Sequence, residues 1–133
     1  MENLVPLVVV DSANVVGAVP DGWWRDRVGA TERLRDALAE VAATGVPAGV
    51  SVPEWACAGP VEVVLVVEGA AGGVVGVDGV RVVRAEGSGD DRVVDVVAAA
   101  PGRRCLVVTA DRGLRARVSA LGAEVVGPRA VRP

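Results

Sequence analysis

The sequence contains no lysine and no histidine, so all 14 basic residues are arginine. That absence removes whole classes of chemistry: a lysine Schiff base, a Walker-type phosphate lysine, a Ser-His-Asp triad and a histidine-ligated zinc are all excluded. Phenylalanine and tyrosine are also missing, and the only aromatics are three tryptophans. The core must then be built from Val, Leu and Ala. Cysteine is reduced to Cys57 and Cys105 with no CxxC spacing, which excludes a metal knuckle and fits reduced thiols. The opening Met1-Glu2-Asn3-Leu4 has no basic region, and the apolar run after it is too short for a signal peptide or a membrane span. The expected location is cytoplasmic, with no membrane partner.

What is present is a chain of 133 residues, 51% hydrophobic and rich in Val, of the size of one domain over 1–133. Near-continuous Val-rich runs are the signature of strands buried on both faces, as in a parallel sheet covered by helices. The net charge of −3 argues against a protein that grips nucleic acid by bulk charge, so any such site must be a local arginine patch. Polar chemistry falls to Asp, Glu, Arg, Ser, Thr and Asn. Hard oxygen ligands of this kind suit Mg²⁺ or Mn²⁺ rather than zinc or copper.

The apolar run Leu4 to Val10 ends at Asp11, and a second run, Cys105 to Ala110, ends at Asp111 before a helix predicted over Arg112 to Leu121. Carboxylates are costly to bury unpaired, and the carboxyl ends of strands are where open α/β sheets build sites. Between these runs, Gly87-Ser88-Gly89 loosens the chain before Asp90 and Asp91, which open a helix predicted to reach Ala100. Val15 to Gly22 reads as a loop, Trp23 to Ala43 as a long helix with Val28, Leu34, Ala37, Leu38 and Val41 on its apolar face, and Thr44 to Pro60 as a connection with one helical turn near Pro53 to Ala56. Strands are expected at Val61 to Val67, Val80 to Ala85 and Glu124 to Val126, with a mobile loop of five glycines over Gly69 to Gly79. Alternating strands and helices imply right-handed crossovers and a mainly parallel sheet.

Asp11, Asp90 or Asp91, and Asp111 are therefore the candidate ligands of an acidic Mg²⁺ or Mn²⁺ site, which suits phosphodiester hydrolysis without histidine. Taken singly, Asp11 reads equally well as a turn or capping acid, and one of Asp90 and Asp91 as a helix cap. Agreement of three element ends favours the site. Glu68, at the end of the second strand, is a weaker fourth acid; Asp95 reads as a solvated face. Asn14 is placed to orient Asp11 or to hold a phosphate or water, and its alternative is local turn capping. Arg112 and Arg115 follow Asp111 closely enough to meet a substrate phosphate. Trp23-Trp24-Arg25-Asp26-Arg27 has the composition of a base-stacking face, although two tryptophans in so aromatic-poor a chain read more readily as packing anchors.

The ordered set Val-Val-Val-Asp-Ser-Ala-Asn-Val at Val8 to Val15, Gly-Ser-Gly-Asp-Asp-Arg-Val-Val-Asp at Gly87 to Asp95, and Val-Val-Thr-Ala-Asp-Arg-Gly-Leu-Arg at Val107 to Arg115 resembles the NYN branch of the PIN-like nuclease superfamily, especially its YacP-like group. The family pattern usually has Gly where this chain has Ser12. The resemblance implies a three-layer α/β/α fold with strand order 3-2-1-4-5, in which strands one and four meet and bring Asp11 to Asp111. It also implies a Mg²⁺- or Mn²⁺-dependent ribonuclease acting on single-stranded or structured RNA, with Asp11, Asn14, Asp90, Asp91 and Asp111 as its site. A fourth acid from the first long helix would be Glu32, Asp36 or Glu40, with nothing to choose between them. Two other functions use the same residues: nucleoside triphosphate pyrophosphohydrolysis at the same acids, and a non-catalytic RNA- or protein-binding module that keeps the acids as a remnant. The oligomeric state is left open, a homodimer being one state the sequence admits.

Overall fold

The computed structural model describes residues 5–132. Met1 to Leu4, where a leader was excluded and the first strand expected to open, lie outside the described residues. Five parallel strands, β1 (Leu7–Asp11), β2 (Glu62–Val67), β3 (Val80–Arg84), β4 (Cys105–Val108) and β5 (Glu124–Val126), form one sheet in the order β3-β2-β1-β4-β5. This is the expected order. The helices α1 (Ser12–Val16), α2 (Arg27–Thr44), α3 (Gly89–Ala98) and α4 (Arg112–Ala120) complete the three layers.

The alternation of side chains along each strand sorts the core into two faces. Val8 and Val10 of β1, with Val63, Leu65 and Leu106, pack against Val15 of α1 and Leu34, Leu38 and Val41 of α2. Leu7 and Val9, with Val64, Val66 and Val107, pack against Val93, Val96 and Val97 of α3 and Leu114 and Val118 of α4. Strands covered on both sides need no polar alternation, which is why they read as unbroken apolar runs. Each fully buried Val or Leu contributes about 1.5–3 kcal/mol. Among the described residues no helix is long and apolar enough to cross a membrane.

Three local expectations change. The loop expected over Val15 to Gly22 starts later, because Val15 and Val16 end the short helix α1. The long helix expected from Trp23 is broken in two: Trp23–Arg25 is a 3₁₀ turn, and α2 starts at Arg27 because the Asp26 carboxylate accepts a hydrogen bond from Gly29 N (2.9 Å) as its N-cap. Its buried stripe is Ala30, Thr31, Leu34, Leu38, Val41 and Ala42, and Val28 and Ala37, expected on the apolar face, are exposed. The glycine-rich segment 69–79 also has structure: a 3₁₀ turn at Gly69–Ala71, an antiparallel bridge between Val77 and Val80, and a hydrogen bond from Arg35 to the Val75 carbonyl at 3.0 Å.

The C-terminal segment closes on the site side of the sheet. Arg132 donates to the Val15 carbonyl at 3.2 Å, to the Val16 carbonyl at 2.7 Å and to the Asp21 carboxylate, so it adds a charged donor to the carbonyls at the end of α1, of which that of Val15 also accepts from Ala18 N at 3.2 Å. Arg132→Ala should lower stability by about 1–3 kcal/mol in urea denaturation. An unchanged midpoint would show that α1 does not depend on this clamp.

Candidate active site

The order β3-β2-β1-β4-β5 reverses its direction of growth between β1 and β4, which is the switch point where open α/β sheets hold ligands. Val10 pairs with Val108, so Asp11 and Thr109 stand side by side where the two strands end. The Thr109 hydroxyl, fully buried, donates to Asp11 Oδ2 at 3.0 Å and accepts from Asp111 N at 3.1 Å. One side chain therefore fixes both acids. Asp111 N-caps α4, its Oδ1 accepting from Leu114 N at 2.9 Å. Asn14 Oδ1 accepts from Ala110 N at 2.8 Å, tying the turn after β1 to the turn after β4.

Two more acids come from the neighbouring elements. Glu68, just past β2, reaches across to Gly89 and accepts from its backbone N at 2.7 Å. A Cβ at Gly89 would lie 3.0 Å from that carboxyl, so glycine permits the approach. Asp90 follows in the first turn of α3, whose N-cap is Ser88 rather than either aspartate.

Burial pushes the Asp11 carboxyl up to about 6, with Asp90 and Glu68 adding repulsion, while the Thr109 hydroxyl and the Asn14 backbone amide partly offset this. The Asn14 amide falls short of a capping hydrogen bond, so Asp11 does not cap α1. Asp90 is raised as well, first by burial and then by Asp111 and Glu68. The four acids are thus close enough to repel one another, and among the described residues none of them is in an ion pair with arginine.

The structure brings together Asp11, Asn14, Asp90 and Asp111, and adds Glu68. Asp91 goes elsewhere: its Oδ1 accepts from Arg117 of α4 at 2.9 Å on the exposed side of the helix, and it lines a separate cavity with Arg84 and Arg92. No acid of α2 joins the cluster through these contacts: Glu32 and Asp36 flank Arg35 instead, and Glu40 is exposed. Arg112 and Arg115 are exposed at the start of α4, beside Asp111 and without an ion pair among the described residues. Trp23 is half-buried against the core, and Trp24, 51% exposed, meets it edge-on with ring centroids 5.8 Å apart. Thr109 was missed in the sequence; its one signal was a hydroxyl in an otherwise apolar strand, directly before the Ala110-Asp111 turn.

Hard carboxylate oxygens gathered without a direct arginine ion pair, Arg117 only partly offsetting the charge at Asp90, have the donor chemistry of a Mg²⁺ or Mn²⁺ site. Among the described residues, however, no group of three or more carboxylates or thiolates is already arranged around one ion position.

No protein-family model matches the sequence, and no curated protein matches it. A crystal structure of a point mutant of Rae1 (YacP) from Bacillus subtilis does match the structure, with a TM-score of 0.67 and 18% sequence identity, over 96% of this chain and 72% of that one. The fold is YacP-like. At that identity the likeness carries the architecture, and the chemistry of this YacP-like chain has to come from its own side chains.

Raised acids lower stability when charged. The folded Asp11 carboxyl holds its proton up to about 6 against an ordinary 3.8, so the stability that protonation gives is present below the ordinary value and lost as pH rises through the folded one. Asp11→Asn keeps an acceptor for Thr109. Measured in EDTA by urea denaturation, it should stabilise the protein by about 2–3 kcal/mol above roughly pH 7 and by nothing below about pH 4. Thr109→Val should cost about 1–3 kcal/mol while Thr109→Ser restores most of it, since only the serine keeps both hydrogen bonds. Equal losses in the two variants would show that packing, not the hydroxyl, is what matters.

Proposed function

We propose that this protein is a divalent-metal-dependent ribonuclease in which Asp11, Asp90 and Asp111, joined by Glu68, hold Mg²⁺ or Mn²⁺. The observation that carries this reading is the unpaired acid cluster at the switch point, built from four separate chain segments. A divalent ion bound there would neutralise the charge of a phosphodiester and acidify a water for attack on phosphorus. The chain's own residues do the rest. Thr109 holds Asp11 and the Asp111 backbone in one geometry, and Asn14 locks the two turns that carry them. Arg112 and Arg115 offer unpaired guanidinium groups to flanking phosphates. RNA as the substrate rests on the three sequence motifs and their resemblance to NYN domains.

A non-catalytic module is the second reading, and it gains from the fact that among the described residues no three carboxylates are already arranged around one ion position. Calorimetry with Mn²⁺ separates the two. Wild type should bind the ion, and Asp11→Asn and Asp90→Asn should lose it along with at least about a hundredfold in RNA cleavage, as expected when several kcal/mol of charge stabilisation disappear. Asp91→Asn, which removes only an exposed ion pair, should cost no more than about threefold. RNA binding that is equal in EDTA and Mn²⁺, with no cleavage, would establish the module instead. Turnover of nucleoside triphosphates without RNA cleavage would move the same site to pyrophosphate bonds.

A further inference from the structure

The acid cluster is flanked by arginine on two sides. Arg112 and Arg115 stand on the α4 side, beside Asp111; on the other side Arg27 lines one cleft with Ser12, which follows Asp11, and with Glu68. The guanidinium carbon of Arg27 lies 5.2 Å from the centroid of the Trp23 ring. Trp23 is itself held, half-buried against the core and met edge-on by Trp24. Among the described residues the Arg27 side chain has no ion pair and no hydrogen bond. The two nearest acids are engaged elsewhere, Glu68 with Gly89 N and Asp26 with Gly29 N. A guanidinium set over an indole ring has already given up part of the side-chain freedom that binding would otherwise cost, and here all its N–H donors stay open. The placement is not one that local stability favours: Arg27 opens α2, the end of a helix where the dipole disfavours a cation.

We propose that Arg27 is a phosphate-binding residue of this site, holding an RNA phosphate on the side of the acids opposite Arg112 and Arg115, with Trp23 as the residue that positions its guanidinium. The identity of the ligand as RNA rests on the ribonuclease reading. Charge and geometry select a phosphate, because the planar fork of an arginine matches phosphate oxygens two at a time. A strand that crosses the acids passes Arg27 on one flank and Arg112 and Arg115 on the other, so each flank neutralises a phosphate next to the one attacked. Such a contact lies away from the reacting bond. It therefore holds substrate and transition state alike and acts on affinity rather than on the chemical step. A second arginine–tryptophan pair supplies an internal control: Arg104 lies 5.9 Å from the Trp55 ring centroid but precedes β4, at the opposite end of the strands from the acids.

The test uses the full chain and a fluorescently labelled single-stranded RNA oligonucleotide, followed by anisotropy in EDTA and by cleavage in Mn²⁺. Arg27→Ala should weaken binding about three- to tenfold and flatten the slope of log K against log salt by about 0.7, the share of one phosphate on a single strand. In Mn²⁺ the loss should appear in KM rather than in kcat. Arg27→Lys, which keeps the charge and loses the fork, should keep the salt slope and recover only part of the affinity. Trp23→Leu should weaken binding about two- to fivefold and add nothing once Arg27 is alanine, a result that loss of packing does not give. Arg104→Ala should leave binding unchanged. An unchanged salt slope in Arg27→Ala, an equal loss in Arg104→Ala, or additive losses from Arg27→Ala and Trp23→Leu would overturn the proposal, with urea midpoints showing that each variant is folded. The two readings fail separately: RNA cleavage that Arg27→Ala leaves untouched removes the phosphate contact alone, and Arg27-dependent RNA binding without cleavage removes the ribonuclease alone. A wild type that binds no RNA in either condition removes both.

Discussion

The Thr109 hydroxyl between Asp11 and Asp111 is the interaction on which the rest of the site depends. Asp11 ends a strand that is buried along its whole length, and a carboxylate in that position needs a donor. The donor comes from the adjacent strand, 98 residues away in sequence, and the same oxygen accepts from Asp111 N. Because Val10 pairs with Val108, a slip in the β1–β4 register would take Thr109 away from Asp11 and move the strand's apolar side chains to the wrong face. The geometry of the acids is therefore fixed by the packing of the sheet. Asn14 adds a second stitch between the same two turns, through Ala110.

Charge pairing elsewhere in the molecule makes the cluster distinctive. Asp21 is paired with Arg132, Glu62 with Arg103 and Asp91 with Arg117, so arginine is not in short supply where an acid is to be neutralised. Unpaired acids on the surface are ordinary; Asp11 buried, with Glu68 and Asp90 half-buried beside it, is not. Repulsion in this group costs stability, and stability is commonly given up where function needs a strained or charged site. A structural role alone would be served better by an amide at position 11.

The strands, their parallel pairing and the delivery of Asp11 and Asp111 to one edge of the sheet were legible because buried runs and their terminal acids leave strong marks in a sequence. The order of the strands came from the motif resemblance, since hydrophobic pattern alone does not say which strands are neighbours. Helix α1 was hidden because five residues, Val15 and Val16 among them, are too few to show a helical period. Asp90 and Asp91 could not be separated, because adjacent residues on a helix point about 100° apart and only the packing of α3 decides which faces the sheet edge. In the structure Asp91 turns out to Arg117 and Asp90 turns in. The start of α2 was placed too early because Trp23 and Trp24 looked like part of the helix, whereas the Asp26 cap is a short-range choice between neighbouring polar residues. Glu68 was undervalued because its glycine-rich surroundings read as a mobile loop, when one of those glycines' counterparts, Gly89, is what lets its carboxylate dock.

On the proposed reading, recognition of RNA is conditional on the ion. A chain with a net charge of −3 and no lysine has little long-range attraction for a polyanion. Its acid cluster repels phosphate until a divalent ion offsets part of the local charge and offers the phosphate a cation, so ion and phosphodiester assist each other's binding, and by linkage the effect is equal in both directions. Arg112 and Arg115 contribute a short-range, salt-sensitive share.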